Sequence, residues 1–411
     1  MIEFADDVHM QLPDALIKVI GVGGAGGNTV NAMVDDQDNI EFIVANTDAQ
    51  ALNQSKAHHK IQMGIKATKG LGTGANPELG KRAAQENLDI ILDLASDANI
   101  VFLTGGMGGG TGSGGLPVIA QALREKGILT IAVVTKPFMY EGKKRARVAQ
   151  EAIETLTSCV DTLLIVPNQK LLELVDSTVS MIDAFAMIND VLSQSVKSIA
   201  DIISKPGHIN VDFADVSIIM KNRGLALMGS ARVAGKDRAQ EAALQAISSP
   251  LLENMSIAGA RGVLINITGG ANLTLHEVNQ AASIIYEQVD EDANIIVGSV
   301  IDTNLEDDIV LTVIATGFDH DRKEQVASYS SPVSYVSKPG AILDRAEKEQ
   351  HVVVKEEENI ESQECTQELV EINKVQEPQQ EQEKNNYELV DMNDLDIPAF
   401  MRKRDKAENQ E

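Results

Sequence analysis

The chain has 411 residues, with 35 Lys or Arg against 61 Asp or Glu, so its formal net charge is −26. This length predicts two or three domains, and the charge argues against nucleic-acid binding, which depends on clustered Lys and Arg. No run of about 18 apolar residues could span a bilayer, and the acidic first residues are not typical of a secretory signal. We therefore expect a soluble, cytoplasmic protein. Two cysteines, Cys159 and Cys365, are too few for a disulfide framework and are expected to be free thiols.

Five short apolar runs in the first half of the chain predict buried parallel strands. Turn-forming or polar residues follow each run, and amphipathic helical stretches separate most of them. The runs are LIKVIGV (16–22), EFIVANTD (41–48), ANIVFLTGG (98–106), ILTIAVVTKP (128–137) and TLLIVPN (162–168). This alternation predicts a doubly wound α/β domain over residues 1–179, with ligands bound at the carboxyl ends of the strands.

A single long helix is predicted over residues 180–204, because helical periodicity starts at a Ser-x-x-Asp capping pattern and stops at Pro206 and Gly207. At about 1.5 Å per residue this helix is roughly 35 Å long, so its ends lie on opposite faces of a domain. A second set of strands and helices follows and predicts a smaller α+β domain over residues 205–318.

The end of the chain differs in composition from the rest. Residues 351–390 contain 11 Glu and 3 Lys with few large apolar residues, which is typical of a disordered, self-repelling linker. We assign residues 319–393 to that linker. Apolar residues return within 394–411, which we interpret as a docking peptide.

The first glycine loop, GVGGAGGN (21–28), follows a strand and opens a helix, so its free amides and the helix dipole predict an anion site. The loop also matches GxGxxG. A dehydrogenase-type dinucleotide site is therefore an alternative, with Glu41 or Asp48 as the acid that binds ribose.

A second glycine loop, TGGMGGGTGSGG (104–115), offers another phosphate cradle, whereas a dinucleotide domain needs only one. The Thr111 and Ser113 hydroxyls could add hydrogen-bond donors. The absence of GxxxxGK[ST] excludes a P-loop. A third loop, GLGTGANPE (70–78), and the segment TKPFMYEGKKR (135–145) should reach the same face. Glu141 and Arg145 are four residues apart and could form a surface ion pair, or bind ribose and phosphate respectively.

The sequence resembles the tubulin/FtsZ family of GTPases, and within it the bacterial cell-division proteins. The matching motifs are GGAGGN, NTDAQAL, GLGTGANPE, GGMGGGTGSG, VVTKPF with EGKKR, NVDFADV, ARGVLINITGG and DIPAFMRKR, in family order. They cover roughly residues 13–320 and the tail. The resemblance implies a GTP-hydrolysing protein that polymerises head-to-tail into protofilaments of the division ring at mid-cell.

The resemblance also implies the nucleotide-binding residues. Phosphates would lie against Gly24, Ala25, Gly26, Gly27, Asn28, Gly110, Thr111 and Gly112, with Gly74, Ala75 and Asn76 near the γ-phosphate. Glu141 and Arg145 would hold ribose and phosphate, and Asn168, Phe185 and Asn189 would face guanine. Phe185 and Asn189 are four apart and can present a ring and an amide together. A core role for Phe185, and Asp190 in place of Asn189, remain alternatives.

Just past the far end of the long helix, NVDFADV contains Asp212, Asp215 and Asn210. These acids could simply be solvated. Because they lie roughly 35 Å from their own nucleotide, they could act only on a neighbouring subunit's nucleotide. Asp212 and Asp215 would polarise the attacking water and Asn210 would orient it. Mg²⁺ would be held mostly by phosphates and waters, without a dedicated metal site.

In the tail, Ile397, Phe400 and Met401 are candidate anchors for a groove on a partner. The resemblance implies that residues 394–404 dock onto membrane-tethering division proteins, without direct insertion into the membrane. Three functions are therefore candidates: a self-assembling GTPase, a dinucleotide-dependent oxidoreductase, and a scaffold that holds GTP without hydrolysing it. The second glycine loop, NVDFADV and the tail favour the first.

Overall fold

The computed structural model describes residues 15–36, 39–174, 178–205, 209, 211–252 and 257–318. The predicted linker (319–393), the predicted docking peptide (394–411) and Asn210 lie outside the described residues. Within the described part of the chain, no helix is both long and apolar enough to cross a membrane.

The first half alternates strands and helices, as the apolar runs predict. Its elements are β1 (Ile17–Val22), α1 (Gly23–Met33), β2 (Ile40–Asn46), α2 (Ala49–Gln54), β3 (His59–Gln62), α3 (Ile65–Thr68), α4 (Pro77–Glu86), α5 (Leu88–Leu94), β4 (Ile100–Gly106), α6 (Thr111–Glu125), β5 (Leu129–Lys136), α7 (Lys143–Cys159), β6 (Thr162–Pro167) and α8 (Asn168–Leu174).

The long helix and the second half follow. Their elements are α9 (Met181–Ser204), α10 (Phe213–Met220), β7 (Gly224–Ala234), α11 (Arg238–Ile247), β8 (Gly262–Gly269), α12 (Leu275–Tyr286), β9 (Asn294–Ile301) and β10 (Asp308–Thr316). The fold is therefore mixed α/β, in agreement with the sequence prediction.

All the strands described form one sheet in the order β3-β2-β1-β4-β5-β6-β7-β10-β8-β9. Neighbours are parallel from β3 to β7, β10 is antiparallel to β7 and β8, and β8 and β9 are parallel. The second half continues the sheet through β6 and β7, where Thr162 to Leu164 pair with Gly224 to Ala226. The predicted α+β region thus shares its sheet with the α/β region.

Helices cover both faces of the parallel strands. On one face α1, α9 and α10 bury apolar side chains against the sheet, and on the other α4, α5, α6 and α7 do so. Strands β1, β4 and β5 are almost wholly buried because helices cover them on both sides. Helices α11 and α12 form a third apolar cluster with β7, β8 and β10.

Helix α9 lies within the predicted limits. The Ser180 hydroxyl accepts a hydrogen bond from the Asp183 amide (3.1 Å), which caps the first turn. Its 24 residues give a length of about 36 Å at the α-helical rise. Ile188, Leu192 and Val196 repeat at helical spacing and are buried in the core.

Helix α10 and the residues that follow it are bonded to the amino end of β6. The Thr162 hydroxyl, at the start of β6, donates to the Met220 carbonyl at the end of α10. The Asn222 amide donates to the Asp161 carboxylate (3.3 Å), and the Arg223 amide to the Asp161 carbonyl (2.8 Å). Helix α10 is therefore tied to the opposite end of β6 from the one where α8 begins.

A buried ion pair holds the second half together. The Arg238 side chain is 7% exposed, and its Nε donates to Glu277 Oε1 at 2.7 Å. Burial raises the pKa of Glu277, but hydrogen bonds from Arg238 and Thr274 outweigh it and lower that pKa to about 2. The ionised carboxylate thus stabilises the fold fully above about pH 4.5, and this contribution is lost as the pH falls towards 2.

We expect Glu277→Gln to lower the free energy of unfolding by about 2 to 3 kcal/mol at pH 7, because it removes the charge that Arg238 needs. The difference from the parent should fall to about half near pH 3. The measurement is urea unfolding followed by circular dichroism, since the chain has no Trp. Glu287→Gln, at the exposed end of the same helix, is the control. Equal effects of the two substitutions would contradict the assignment.

Candidate functional site

A cleft of about 290 Å³ opens at the carboxyl ends of β1, β4, β5 and β6. All three glycine-containing loops and the segment before α7 contribute to it, together with the start of α9. The lining residues are Val22, Gly23, Gly24, Ala25, Thr73, Gly106, Met107, Gly109, Gly110, Thr111, Gly112, Thr135, Pro137, Glu141, Arg145, Asn168 and Phe185. Much of this surface is backbone or small side chains, which is typical of sites that bind anions through amides.

In the first glycine loop, α1 begins at Gly23, directly after β1. Gly24 and Ala25 line the cleft, where the helix leaves unpaired amides. Gly26 and Gly27 are buried behind this surface. A Cβ on Gly26 would lie 2.5 Å from the Thr104 carbonyl oxygen, whereas one on Gly27 would meet only Val44 at 3.5 Å. The absence of a side chain at Gly26 therefore allows α1 to pack closely against β4. Because Gly26 faces β4, it does not lie at the cleft surface.

Asn28, predicted to hold phosphate, is exposed on α1 and lies outside the cleft lining. It is one turn beyond Gly24, so it shares a face of the helix with that residue but lies about 5 to 6 Å farther from the amino end of α1. The lining stops at the first turn, which is where the unpaired amides are.

The second and third loops contact each other. A Cβ on Gly110 would lie 2.2 Å from Thr73 Oγ1, so glycine is required where the loops meet. Thr111 begins α6, and its hydroxyl hydrogen-bonds those of Thr47 (2.8 Å) and Thr73 (3.2 Å), and all three residues are buried. These hydroxyls join the loops after β2 and β4 to the loop before α4.

From the third loop, Thr73 lines the cleft and the predicted Gly74, Ala75 and Asn76 do not. These three are exposed, and the Asn76 side chain accepts from the Glu78 and Leu79 amides to cap α4. Sequence reasoning missed Thr73 and Thr47. The threonine between the glycines of GLGTGANPE was the signal that could have found Thr73, since a hydroxyl there can reach a phosphate or another loop.

Glu141 and Arg145 both line the cleft and form an ion pair with each other. The Glu141 Oε1 atom also accepts from the Phe138 amide at 2.9 Å, which fixes the carboxylate at the start of the segment before α7. The ion-pair interpretation is thus observed, and the pair also lies where a ribose or phosphate could meet it.

The other end of the cleft is aromatic and amide-lined. Phe185 is 44% exposed, so it is not a core residue, and it makes an edge-to-face contact with buried Phe138 at 5.8 Å between ring centroids. Asn168 is buried, and its Oδ1 atom has no hydrogen-bond partner among the described residues. Asn189 is half-buried, accepts from the Thr29 hydroxyl at 3.4 Å, and lies outside the lining.

The two acids of the dinucleotide alternative are engaged elsewhere. Glu41 is the second residue of β2, far from the carboxyl end, and Lys18 and His59 contact its carboxylate at 2.6 and 2.7 Å. The hydrogen bond from Lys18 holds the pKa of Glu41 below its usual value. Asp48 caps α2 by accepting from the Gln50 and Ala51 amides. Neither is available as the ribose-binding acid of an oxidoreductase.

Asp212 and Asp215 are exposed at the start of α10. This helix is bonded to the amino end of β6, whereas the cleft lies at the carboxyl ends of the strands. The acids and the cleft are therefore at opposite ends of the parallel strands. Among the residues that the structure covers, no cluster of three or more His, Cys, Asp or Glu side chains could hold a metal ion.

Comparisons with known proteins agree with this architecture. A model of the GTPase domain of the Tubulin/FtsZ family matches residues 16–176, and a model of the FtsZ family C-terminal domain matches residues 224–319. An empty FtsZ dimer from M. jannaschii is 42% identical with a TM-score of 0.72, and the match covers 75% of this chain and 89% of that chain. The chain belongs to the tubulin/FtsZ family of GTPases.

Two other solved structures are similar. A mutant of M. jannaschii FtsZ is 41% identical, with a TM-score of 0.71 over 74% of this chain and 92% of that chain. GDP-bound CetZ1 from Haloferax volcanii is 21% identical, with a TM-score of 0.65 over 74% of this chain and 95% of that chain. The CetZ1 likeness is one of fold. Membership of the GTPase family leaves no support for the oxidoreductase alternative.

The contrast between Gly26 and Gly27 gives a matched test of the first loop. We expect Gly26→Ala to lower the free energy of unfolding by about 1 to 3 kcal/mol and to weaken GDP binding, because its methyl group would force α1 away from β4. Gly27→Ala should be neutral or stabilising by up to about 1 kcal/mol, since it improves helix propensity without a close contact. Urea unfolding and GDP titration measure both. Equal losses in the two variants would show that the packing argument is wrong.

Proposed function

We propose that this chain is a GTP-dependent cytoskeletal GTPase that assembles head-to-tail into protofilaments of the bacterial division ring, and that each active site is completed by the next subunit. The observation that carries the proposal is that the glycine-lined cleft lies at the carboxyl ends of the parallel strands, whereas Asp212 and Asp215 lie at the amino ends. A single subunit cannot bring these groups together across a helix about 36 Å long.

In this proposal the glycine-rich end of the cleft binds the GTP phosphates. Amides at the starts of α1 and α6 would donate to them, and the Thr73 and Thr111 hydroxyls are at the same end. Glu141 would accept from the ribose hydroxyls, while Arg145 would turn from Glu141 to a phosphate. Gly74, Ala75 and Asn76 do not line the cleft, so their proposed place near the γ-phosphate depends on their neighbour Thr73, which does.

Guanine would occupy the aromatic end. Phe185 offers an exposed ring face that Phe138 supports from the side, and the unpaired Oδ1 of Asn168 could accept from guanine N–H groups. Asn189 and Asp190 lie about one turn beyond Phe185 on α9. Asn189 would affect guanine binding through its hydrogen bond with Thr29, and Asp190 would do so from the rim of the cleft. The CetZ1 structure from Haloferax volcanii is GDP-bound, which is consistent with this use of the fold.

We expect Phe185→Ala to weaken GDP binding about tenfold, because base stacking on an aromatic ring contributes on the order of 1 to 3 kcal/mol. Phe185→Tyr should retain most of the affinity. Ile182→Ala is the control, since Ile182 is 81% exposed on the same helix and outside the cleft. Isothermal titration with GDP measures all three. Unchanged affinity in Phe185→Ala would remove Phe185 from the base site.

Hydrolysis requires an attacking water in line with the bond between the β- and γ-phosphates. Asp212 and Asp215 of the adjoining subunit would polarise this water, and Asn210 would orient it. Among the described lining residues the only carboxylate is Glu141, which is paired with Arg145. These residues therefore fit a Mg²⁺ that is held mostly by phosphates and waters, with the Thr73 and Thr111 hydroxyls as possible further ligands. The ion would neutralise phosphate charge.

A group of exposed apolar side chains around the cleft supports head-to-tail assembly. Around the cleft, Leu71 is 85%, Met139 79% and Tyr140 65% exposed, and at the opposite edge Ile218 of α10 is 56% exposed. Contiguous exposed apolar groups, such as those around the cleft, mark contact sites between proteins, whereas a single residue such as Ile218 does not by itself. A contact of one edge with the other is heterologous and propagates as a filament. The GTPγS-bound CetZ2 from Haloferax volcanii is a protofilament, and the empty FtsZ from M. jannaschii is a dimer.

A mixture of two defective variants tests the shared active site. The first, Asp212→Asn, keeps its cleft but lacks the acid. The second, Phe185→Ala combined with Asn168→Ala, keeps its acids but binds GTP poorly. We expect each alone to hydrolyse GTP slowly and an equimolar mixture to recover a substantial rate, because the acid of the second variant reaches the nucleotide of the first.

The control is each variant at twice its concentration, which separates complementation from mass action. Phosphate release and light scattering are recorded on the same samples. A mixture no faster than the mean of its components would contradict the shared site, and full activity of Asp212→Asn alone would favour a self-contained site.

The remaining assignments follow from the resemblance of the tail and from charge. Ile397, Phe400 and Met401 would anchor residues 394–404 to membrane-tethering division proteins, with the acidic segment 319–393 as a spacer. The protein would therefore act in the cytoplasm at mid-cell, without contact to nucleic acid and without entering the membrane itself.

A further inference from the structure

Ile209, which lies between α9 and α10 in the chain, is attached to the outer strand of the sheet. Strand β9 is last in the strand order, so one of its edges is not paired with another strand. Ile209 forms an isolated antiparallel bridge with Ser299 on that strand. Ile209 thus lies at an otherwise open edge of the sheet in the second half of the molecule.

Ser299 holds both backbone groups of Ile209. Its amide donates to the Ile209 carbonyl at 3.2 Å, and its hydroxyl accepts from the Ile209 amide at 3.2 Å. Ser299 is 2% exposed. An amide oriented by a buried hydroxyl is fixed more firmly than one that can exchange its partner for water.

The neighbouring contacts restrict the same segment. Val211, which directly precedes Asp212, is buried, and a Cβ on Gly298 would lie 3.2 Å from its Cγ2 atom. The same Cβ would lie 2.2 Å from Ile202 on α9. The strand at Gly298 and Ser299 therefore touches both the end of α9 and the two residues, Ile209 and Val211, that flank position 210.

Asp212 is the N-cap residue of α10, and its carbonyl accepts from the Asp215 amide at 3.1 Å. Its carboxylate makes no cap hydrogen bond in this structure. The position of both acids hence depends on where the chain enters α10, three residues after Ile209. Small displacements of reacting groups cost large factors in rate.

From these contacts we propose that Ser299 is a positioning residue for GTP hydrolysis, which sets the location of Asp212 and Asp215 through its paired hydrogen bonds to Ile209. This inference rests on the proposed function, because it assumes that the acids act on the adjoining subunit's nucleotide. Ser299 itself does not touch the nucleotide, and it lies on a different strand from every cleft residue.

The test is the hydrolysis rate per assembled subunit for Ser299→Ala, with GTP and Mg²⁺, in the full chain. We expect the rate to fall about tenfold. The GDP affinity and the GTP concentration for half-maximal rate should change less than about twofold, because the cleft lies at the carboxyl ends of the parallel strands, away from Ser299. Ser299→Thr keeps a hydroxyl and should restore most of the rate. Ser299→Cys, with a weaker acceptor, should be intermediate and replaces Ser299→Ala if that variant does not fold.

Ser230→Ala is the matched control. The Ser230 hydroxyl hydrogen-bonds that of Thr312 at 3.0 Å in the same half of the molecule, and it makes no hydrogen bond to Ile209 or Val211, the described residues on either side of position 210. A general loss of packing would slow this variant as much as Ser299→Ala. If the two fall equally, or if Ser299→Cys hydrolyses GTP at the parental rate, the positioning role is overturned.

Combining Ser299→Ala with Asp212→Asn and Asp215→Asn separates the positioning role from the shared site. If Ser299 acts through these two acids, the triple variant should be no slower than the variant in which both acids alone are replaced. Additive losses would overturn the positioning role and leave the shared site intact. A parental rate in Asp212→Asn would instead overturn the proposed function, whatever Ser299→Ala does.

Discussion

The close approach of backbone to backbone between the glycine loops is the constraint on which the rest of the structure depends. Gly26 lies against the Thr104 carbonyl, and Gly110 lies against the Asn76 amide and the Thr73 hydroxyl, at distances that leave no room for a methyl group. Because the loops touch, α1 and α6 both begin at the same cleft and aim their first amides into it. The buried hydroxyls of Thr47, Thr73 and Thr111 then join the loops without a charged side chain.

The second constraint is the length of α9, which separates nucleotide chemistry from the acids. Its first turns bring Phe185 to the cleft, while its last turns contact β9. The buried Ser198 hydroxyl of α9 also reaches Thr312 of β10 (3.1 Å), so the helix is bonded to the second half of the sheet. A change at the cleft could be transmitted to the far edge only through such packed elements. In the proposed filament, a rigid connection of this kind would keep the cleft and the acids at a fixed separation.

The sequence was sufficient for features that follow from local pattern. Apolar runs gave the positions of β1, β2, β4, β5 and β6, and the Ser180 cap gave the start of α9. It was insufficient where the result depends on contacts between distant segments. A glycine that lines a cleft and a glycine that packs behind it look the same in GVGGAGGN, so Gly26 and Gly27 could not be told from Gly24. Likewise Thr73 and Phe138 gained their positions only from the folding of other loops around them.

The continuous sheet was also beyond local pattern, since strand order depends on long-range pairing. Three residue pairs between β6 and β7 join a parallel region to one that is mostly antiparallel. This junction places β9 at the outer edge, where its unpaired groups would otherwise be open to another strand. Ile209 occupies part of that edge. The same pair of hydrogen bonds covers part of a sheet edge and holds the chain three residues before Asp212. Under the proposed mechanism, this is how a strand remote from the nucleotide would affect its hydrolysis.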